Sequence, residues 1–166
     1  VWQYHELMTC SVGFRAEGLA VGMVTGNIQR AQGVGDAIRR EPYVEAVAAS
    51  GSHLLAHYST NRLTDNQGNF ICPLHFTMID KEMPQVVGMT LLEGHWPQHR
   101  GEAVVGRKTV ETLKWGDTAI GRQLPVNLSW AGLEEPAIVT GVVENVRNMG
   151  FFASQACTPV ILNDRF

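Results

Sequence analysis

The chain has 166 residues, of which 45% are hydrophobic, and its 13 basic and 16 acidic side chains give a net charge of −3. That size suits one domain or two small lobes with a buried core. Charges of both signs are interspersed, which excludes nucleic acid as the main partner, because phosphate binding needs a concentrated cationic face.

No window approaches the roughly 18 to 20 continuous apolar residues that cross a bilayer. The opening VWQYHELMTC lacks the basic-then-apolar profile of a signal peptide. With no initiator Met, the chain reads as an excised piece of a longer protein, with targeting information outside it. Cys10, Cys72 and Cys157 are odd in number and widely spaced, which excludes a disulfide framework as the main staple but leaves one bridge open. No CxxC pair supports a structural zinc.

Residues 1–17 are weakly patterned, although Trp2, Tyr4, Leu7 and Met8 can share one helical face. Residues 19–25 alternate apolar side chains with Gly and Ala and read as a buried strand. Thr25 and Asn27 can both cap a following helix, in which Ile28, Ala31, Val34 and Ile38 recur at helical spacing. Gly33 and Gly35 weaken it by about 1 kcal/mol each relative to Ala. Pro42 holds Glu41 extended and ends it.

A strand over 44–50 then completes a β–α–β unit, and 53–58 gives a further strand after the Gly51-Ser52 turn. TDNQGN at 64–69 is dense in turn formers. Beyond it, 70–79 is a long strand with Phe70, Cys72, Leu74, Phe76 and Met78 on one side. Asp80 can cap a short helix over 81–87, where Pro84 is tolerated near the first turn. The loop over 93–101 should be exposed.

A short apolar run, 103–105, leads into a helix over 107–115, with Val110 and Leu113 facing the core and Gly116 suited to a left-handed stop. Residues 124–128 alternate as a strand, and 138–143 form a β-branched strand broken by Gly141. Residues 145–158 are irregular, and 159–162 form a last short strand. There is no internal repeat.

Candidate chemistry is thin. His53 and His57 are four apart, but SHLLAHYS reads as a strand and there is no HExxH. His95 and His99 flank Trp96-Pro97 in a Gly-bounded loop, and ordinary surface histidines explain them better than a metal does. No GxSxG is present. Cys72 and Cys157 read as buried thiols rather than nucleophiles. Glu134 and Glu135 are adjacent, so in a strand they point to opposite faces and make a poor acid–base pair. Gly33-Val34-Gly35 carries no GxGxxG, 101–106 lacks the Lys-Ser/Thr of a P-loop, and Arg39-Arg40 reads as a helix C-terminal pair. Catalytic, cofactor-binding and metal residues are all expected to be none.

GMTLLEGHWPQHRGEAVVGRKTVETLKWGDTAIGRQL, followed by PAIVTGVVENV, resembles the MacB-like periplasmic core domain of FtsX/MacB-type ABC transporter permeases. Leu91-Leu92-Glu93-Gly94, the run 102–105, Gly116-Asp117, Ile120-Gly121-Arg122 and the run 140–143 occupy the family's motif positions in order. GFRAEGLAVGMV and REPYVEAVAAS are similar to its first strand and a later one, and Gln3-Tyr4 with Gly13-Phe14 to the second extracytoplasmic segment of two-repeat permeases of Bacteroidetes type. His95 stands where Arg is commoner. The family usually continues past the last strand with a second β–α–β half, which is expected to be trimmed, reduced or absent in a sequence that stops at Phe166.

The resemblance implies an α+β fold, with a mixed-sheet βαβ-type membrane-proximal lobe over about 1–65 plus 145–166. A mostly β second lobe would be inserted over about 66–144, with short helices near 81–87 and 107–115. It implies a non-enzymatic module outside the cytoplasmic membrane, with no cofactor. That module would couple ATP-driven movement of transmembrane helices to substrates or partner proteins. Implied partners are the rest of the permease, its cytoplasmic ABC ATPase, a second permease copy and a periplasmic protein. The alternative is a stand-alone periplasmic ligand- or protein-binding module using loops near His95 or Phe151-Phe152. A hydrolase or metalloenzyme using His95, His99 or Cys157 is a third reading.

Overall fold

The computed structural model describes residues 15, 17–51, 59–65, 67–126, 128–129, 133–145 and 159–162. Its strands are β1 (Ser59–Thr64), β2 (Phe70–Ile79), β3 (Leu91–Gly94), β4 (Glu102–Gly106), β5 (Ile138–Val143) and β6 (Pro159–Leu162). They form one sheet in the order β1-β2-β6-β4-β5-β3. Pairs β1/β2, β6/β4 and β5/β3 are antiparallel, whereas β2/β6 and β4/β5 are parallel. The helices are α1 (Ile28–Arg39), α2 (Met83–Val86) and α3 (Arg107–Thr112). The fold is α+β around a mixed sheet.

β2 is long because it serves two neighbours. Its first part pairs with β1, from Phe70 opposite Thr64 to Phe76 opposite Ser59. Thr77, Met78 and Ile79 then pair with Val160, Ile161 and Leu162 on the other edge. The last strand therefore lies inside the sheet, between β2 and β4. β1 and β6, expected in the first lobe, and β2 and β4, expected in the second, share this one sheet.

Both faces of the sheet are covered. Ala103 and Val105 belong to one apolar cluster with Leu63, Leu74, Phe76 and Val139. Val104, between them in sequence, belongs to a second cluster with Ile79, Met83, Val87 and Val143. Successive strand residues point to opposite faces, so the two clusters lie on either side of β4. Val139 and Val142 share the first cluster despite odd spacing. The ladder explains this: Ala103 faces Val139 but Val104 faces Gly141, so Thr140 is an extra residue and the bulge flips the alternation.

The parallel pair β4/β5 is joined through α3, which starts directly after β4. The N-cap Gly106 offers no side chain to α3, and Asn145 does the work from beyond β5: its Oδ1 accepts the Lys108 N–H at 2.8 Å. Thr109 on α3 is fully buried, and among the described residues its hydroxyl has no hydrogen-bond partner. Thr109→Val should therefore raise stability by about 1 kcal/mol, because an unpaired buried hydroxyl costs more than the methyl that replaces it. Urea unfolding of both chains measures this.

Several expected elements take a different form. No ladder forms over 19–25, where Val21, Met23 and Val24 are exposed. Residues 44–50 contribute an isolated antiparallel bridge, Ser50 with Ile79, rather than a strand. The expected β–α–β unit around α1 is thus absent, since apolar alternation makes a strand only where a neighbour supplies hydrogen bonds. Residues 124–126 and 128 also miss the ladder, although Gln123 bridges Ile138 and Leu124 donates to Ala137 O at 2.8 Å. Their burial comes from packing: Leu124, Val126 and Leu128 lie in the first cluster. The helix expected over 107–115 stops at Thr112, because Lys114 already takes a left-handed φ of 53° before Gly116. The strands expected over 70–79, 138–143 and 159–162 are present with those bounds. The strand expected over 53–58 and the irregular stretch to 158 fall outside the described residues, apart from Asn145.

Candidate functional site

The loop between β3 and β4 and the turn after β2 meet on the second face of the sheet. Two glycines make the approach close enough. Gly94 ends β3 and pairs with Gly141 of β5. A Cβ on Gly141 would lie 2.7 Å from the carbonyl oxygen of His95, and the His95 N–H donates to Thr140 O at 2.9 Å. From there the chain turns inward, with Trp96 half-buried and Pro97 buried. The expectation of an exposed 93–101 loop holds for 93–95 and 98–100, His95 and His99 among them, while the apolar pair Trp96-Pro97 packs down.

Glu102 ties the loop at its far end. One carboxylate oxygen accepts the N–H groups of Gln98 at 2.7 Å and His99 at 3.2 Å. The Gln98 hydrogen bond is the main cause holding its pKa below the ordinary 4.5, with His99 adding both a hydrogen bond and its charge. The stabilisation from Glu102 is present above that value and is lost as pH falls through the lowered one.

Asp80 organises the opposite wall. It is 6% exposed, and its two oxygens accept the N–H groups of Ala49 (2.6 Å) and Met83 (2.9 Å). The sequence predicts Asp80 as the cap of a helix over 81–87; the helix instead starts at Met83 with Glu82 as its N-cap, and Asp80 accepts the Met83 N–H from two residues before that cap. Burial pushes the Asp80 pKa above the ordinary 3.8, and the two backbone hydrogen bonds offset that only in part. Folding therefore disfavours its ionised form, and this cost is relieved as pH falls towards 3.8. Between these walls lies a hollow of ≈ 70 Å³ lined by Ile79, Asp80, Lys81, Pro84, Trp96 and Pro97. That is room for a water or two, well short of the several hundred Å³ that enclose a metabolite.

On the other side of the sheet, the Gly-Asp…Ile-Gly-Arg segment folds back on itself. The Arg122 guanidinium donates to Thr118 O at 2.6 Å and to Thr118 Oγ1 at 2.8 Å, and lies 5.7 Å from the Trp115 ring centroid. Ala119 is buried within the turn, and Gly121 N–H donates to Val139 O at 2.8 Å. The motif is a structural clamp onto β5.

The residues considered for chemistry stay apart. Among the described residues, no three His, Cys, Asp or Glu side chains come together in a way that could hold a metal ion. His95 Nδ1 pairs with its neighbour Trp96 O at 2.9 Å. Glu134 and Glu135 are exposed. Cys72 is half-buried against the first cluster. A Cβ on Gly33 would meet nothing, and Arg39 pairs with Asp36 at 2.9 Å. His53, His57, Phe151, Phe152, Cys10 and Cys157 lie outside the described residues.

The sequence reading missed His75, which is 9% exposed on β2 with Thr60 Oγ1 3.1 Å from Nδ1. Burial lowers its pKa from 6.5, since an imidazolium there loses its hydration. The neutral ring is favoured by folding, so its contribution holds above 6.5 and is lost as pH falls through the lowered value. We expect stability to decline below pH 6.5 and His75→Gln to flatten that decline. Urea midpoints at pH 7.5 and 5.5 test it, and equal slopes in both chains would contradict it.

No protein-family model matches the chain, and no curated protein does. Solved structures do. The periplasmic region of MacB from Actinobacillus actinomycetemcomitans superposes with a TM-score of 0.53 at 14% identity, over 79% of this chain and 54% of that one. A domain of a protein described as a permease, from Porphyromonas gingivalis, gives 0.52 at 14% over 76% and 54%. The extracellular domain of the noncanonic ABC-type transporter YknZ from Gram-positive bacteria gives 0.53 at 13% over 77% and 59%. The chain thus shares the fold of extracytoplasmic domains of ABC-type permeases, and spans between 54% and 59% of those neighbours' length. Among its described residues, no helix is long and apolar enough to cross a membrane.

Proposed function

We propose that this chain is an extracytoplasmic domain of an ABC transporter permease, standing outside the cytoplasmic membrane. It couples ATP-driven movement of the transmembrane helices to substrates or partner proteins on that side. The observation that supports this most is the fold itself, shared over more than three quarters of the chain with the periplasmic region of MacB, the extracellular domain of YknZ and the Porphyromonas gingivalis domain. At 13–14% identity that likeness speaks for the fold, and the function is our reading of it.

The site geometry fits a part that bears load. Asp80, Glu102, Arg122 and Asn145 each bond to the chain's own backbone, holding loops and helix starts in place. The hollow beside Asp80 is too small for a metabolite. Under this reading the domain does no bond chemistry and needs no cofactor. Its partners are the transmembrane part of the permease, the cytoplasmic ATPase, a second permease copy and a periplasmic protein.

Labelling of intact cells tests the placement. Gln67 lies in the exposed loop between β1 and β2. In the parent protein, Gln67→Cys should react with a membrane-impermeant maleimide added outside an intact inner membrane, above the signal of the unsubstituted protein. Reaction only after that membrane is lysed would refute the proposal.

A further inference from the structure

We infer that residues 17–51, with α1 at their centre, form an arm that lifts off the sheet as a unit while β2, β4 and β5 stay folded, and that the Asp80 carboxylate is its latch. The inference stands whether or not the chain belongs to a permease.

The arm is weakly held by packing. No residue of the 12-residue α1 is buried, and Ile28, Ile38 and Tyr43 are exposed. Its contribution to the second cluster is two half-buried side chains, Leu19 and Ala48. By contrast, Val104, Val105, Val139 and Val143 are at most 1% exposed. Releasing the arm therefore uncovers little apolar surface, whereas opening β4 or β5 uncovers both clusters.

The arm is nevertheless a unit. Asn27 Oδ1 caps α1 by accepting the Arg30 N–H at 3.0 Å, and Arg39 reaches the Val47 carbonyl at 3.3 Å, folding the segment after the helix back towards it. Gly35 faces Val47 on the same contact.

Polar links join this unit to the body, and they converge at the end of β2. Asp80 N–H donates to Ala49 O at 3.0 Å and Gly51 N–H to Met78 O at 2.9 Å. The Ala49 N–H donates back to the Asp80 carboxylate at 2.6 Å. That carboxylate holds Met83 of α2 with its other oxygen, so one buried ion bonds to arm and body together. Hydrogen bonds to an ionised acceptor are about twice as strong as neutral ones, which makes this the strongest link to break.

Native-state hydrogen exchange on the full chain, read by mass spectrometry, tests both parts. In the unsubstituted protein, amides over 28–51 should exchange together at least about 100-fold faster than those of β4 and β5, with a weaker urea dependence. Asp80→Asn puts an amide where two N–H donors converge, and should speed exchange over 28–51 by about 10- to 100-fold with β4 and β5 unchanged. The arm is overturned if 28–51 and β4/β5 share one rate and one urea dependence in the unsubstituted protein. The latch is overturned if Asp80→Asn leaves the arm unchanged, speeds β4 and β5 equally, or fails to fold.

Discussion

Gly94→Ala is expected to destabilise the domain by about 3 kcal/mol or more, enough to leave much of a marginal domain unfolded. Two costs add. Gly94 has φ 75°, which L side chains adopt at a cost of about 1 kcal/mol or more. In addition, a Cβ there would run into the Thr140 carbonyl oxygen, with Ile120 Cδ1 at 2.9 Å and the Gly141 backbone at 3.0 Å. A carbonyl inside a ladder cannot swing aside as a side chain can, so β3 and β5 must separate. That separation would also break the bond from His95 N–H to Thr140 O, on which the inward turn of Trp96 and Pro97 depends. Gly141→Ala shares the crossing without the unusual φ, and meets the His95 carbonyl at 2.7 Å and Val104 at 2.9 Å. It should cost less than Gly94→Ala but still shift the urea midpoint downward. A midpoint for Gly94→Ala within error of the unsubstituted chain would show that the two strands do not approach this closely.

Phe76→Ala should cost about 3 to 5 kcal/mol. The ring is 1% exposed and sits in the first cluster, where β2 changes neighbours from β1 to β6. Leu63 and Leu74, each fully buried, pack in the same cluster and belong to strands already held by the β1/β2 ladder. Because strands constrain their side chains on both sides, the site can collapse only in part, and the cavity adds to the lost transfer energy. Phe70, on the same strand but 52% exposed, supplies the control: Phe70→Ala should cost under about 1 kcal/mol. Equal losses at the two positions, measured by urea unfolding, would mean that Phe76 is not in the core.

The contrast between Phe76 and Phe70 also shows what could be read from residues alone. Alternation placed Phe70, Leu74 and Phe76 on one strand of the right length, and β-branched runs placed β5. Their order in the chain, with the Gly-Asp and Ile-Gly-Arg segments between, pointed to the fold that the solved neighbours share. Alternation failed at 19–25 and 124–128, because it reports which side chains can be hidden, and pairing depends on a neighbour far away in sequence. The bond from Met83 N–H to Asp80 was within reach of a local reading, being a relation across three residues, although the N-cap itself is Glu82. Its bond to Ala49 spans 31 positions and has no local signature. The same holds for Asn145, which caps α3 from 37 residues away, and for the position of β6 inside the sheet. His75 was passed over because one histidine on a strand carries no pattern until its burial is known.

The proposed function turns on movement driven from the cytoplasm, and distances between labels read it directly. Under the proposed function, a spin label at Gln67→Cys in each of two copies of the parent protein, assembled with the proposed ATPase partner in lipid nanodiscs, reports the separation of the two exposed hairpin loops. Pulsed electron resonance with and without a non-hydrolysable ATP analogue should give two distinct distance distributions. A single distribution unchanged by nucleotide would contradict the account.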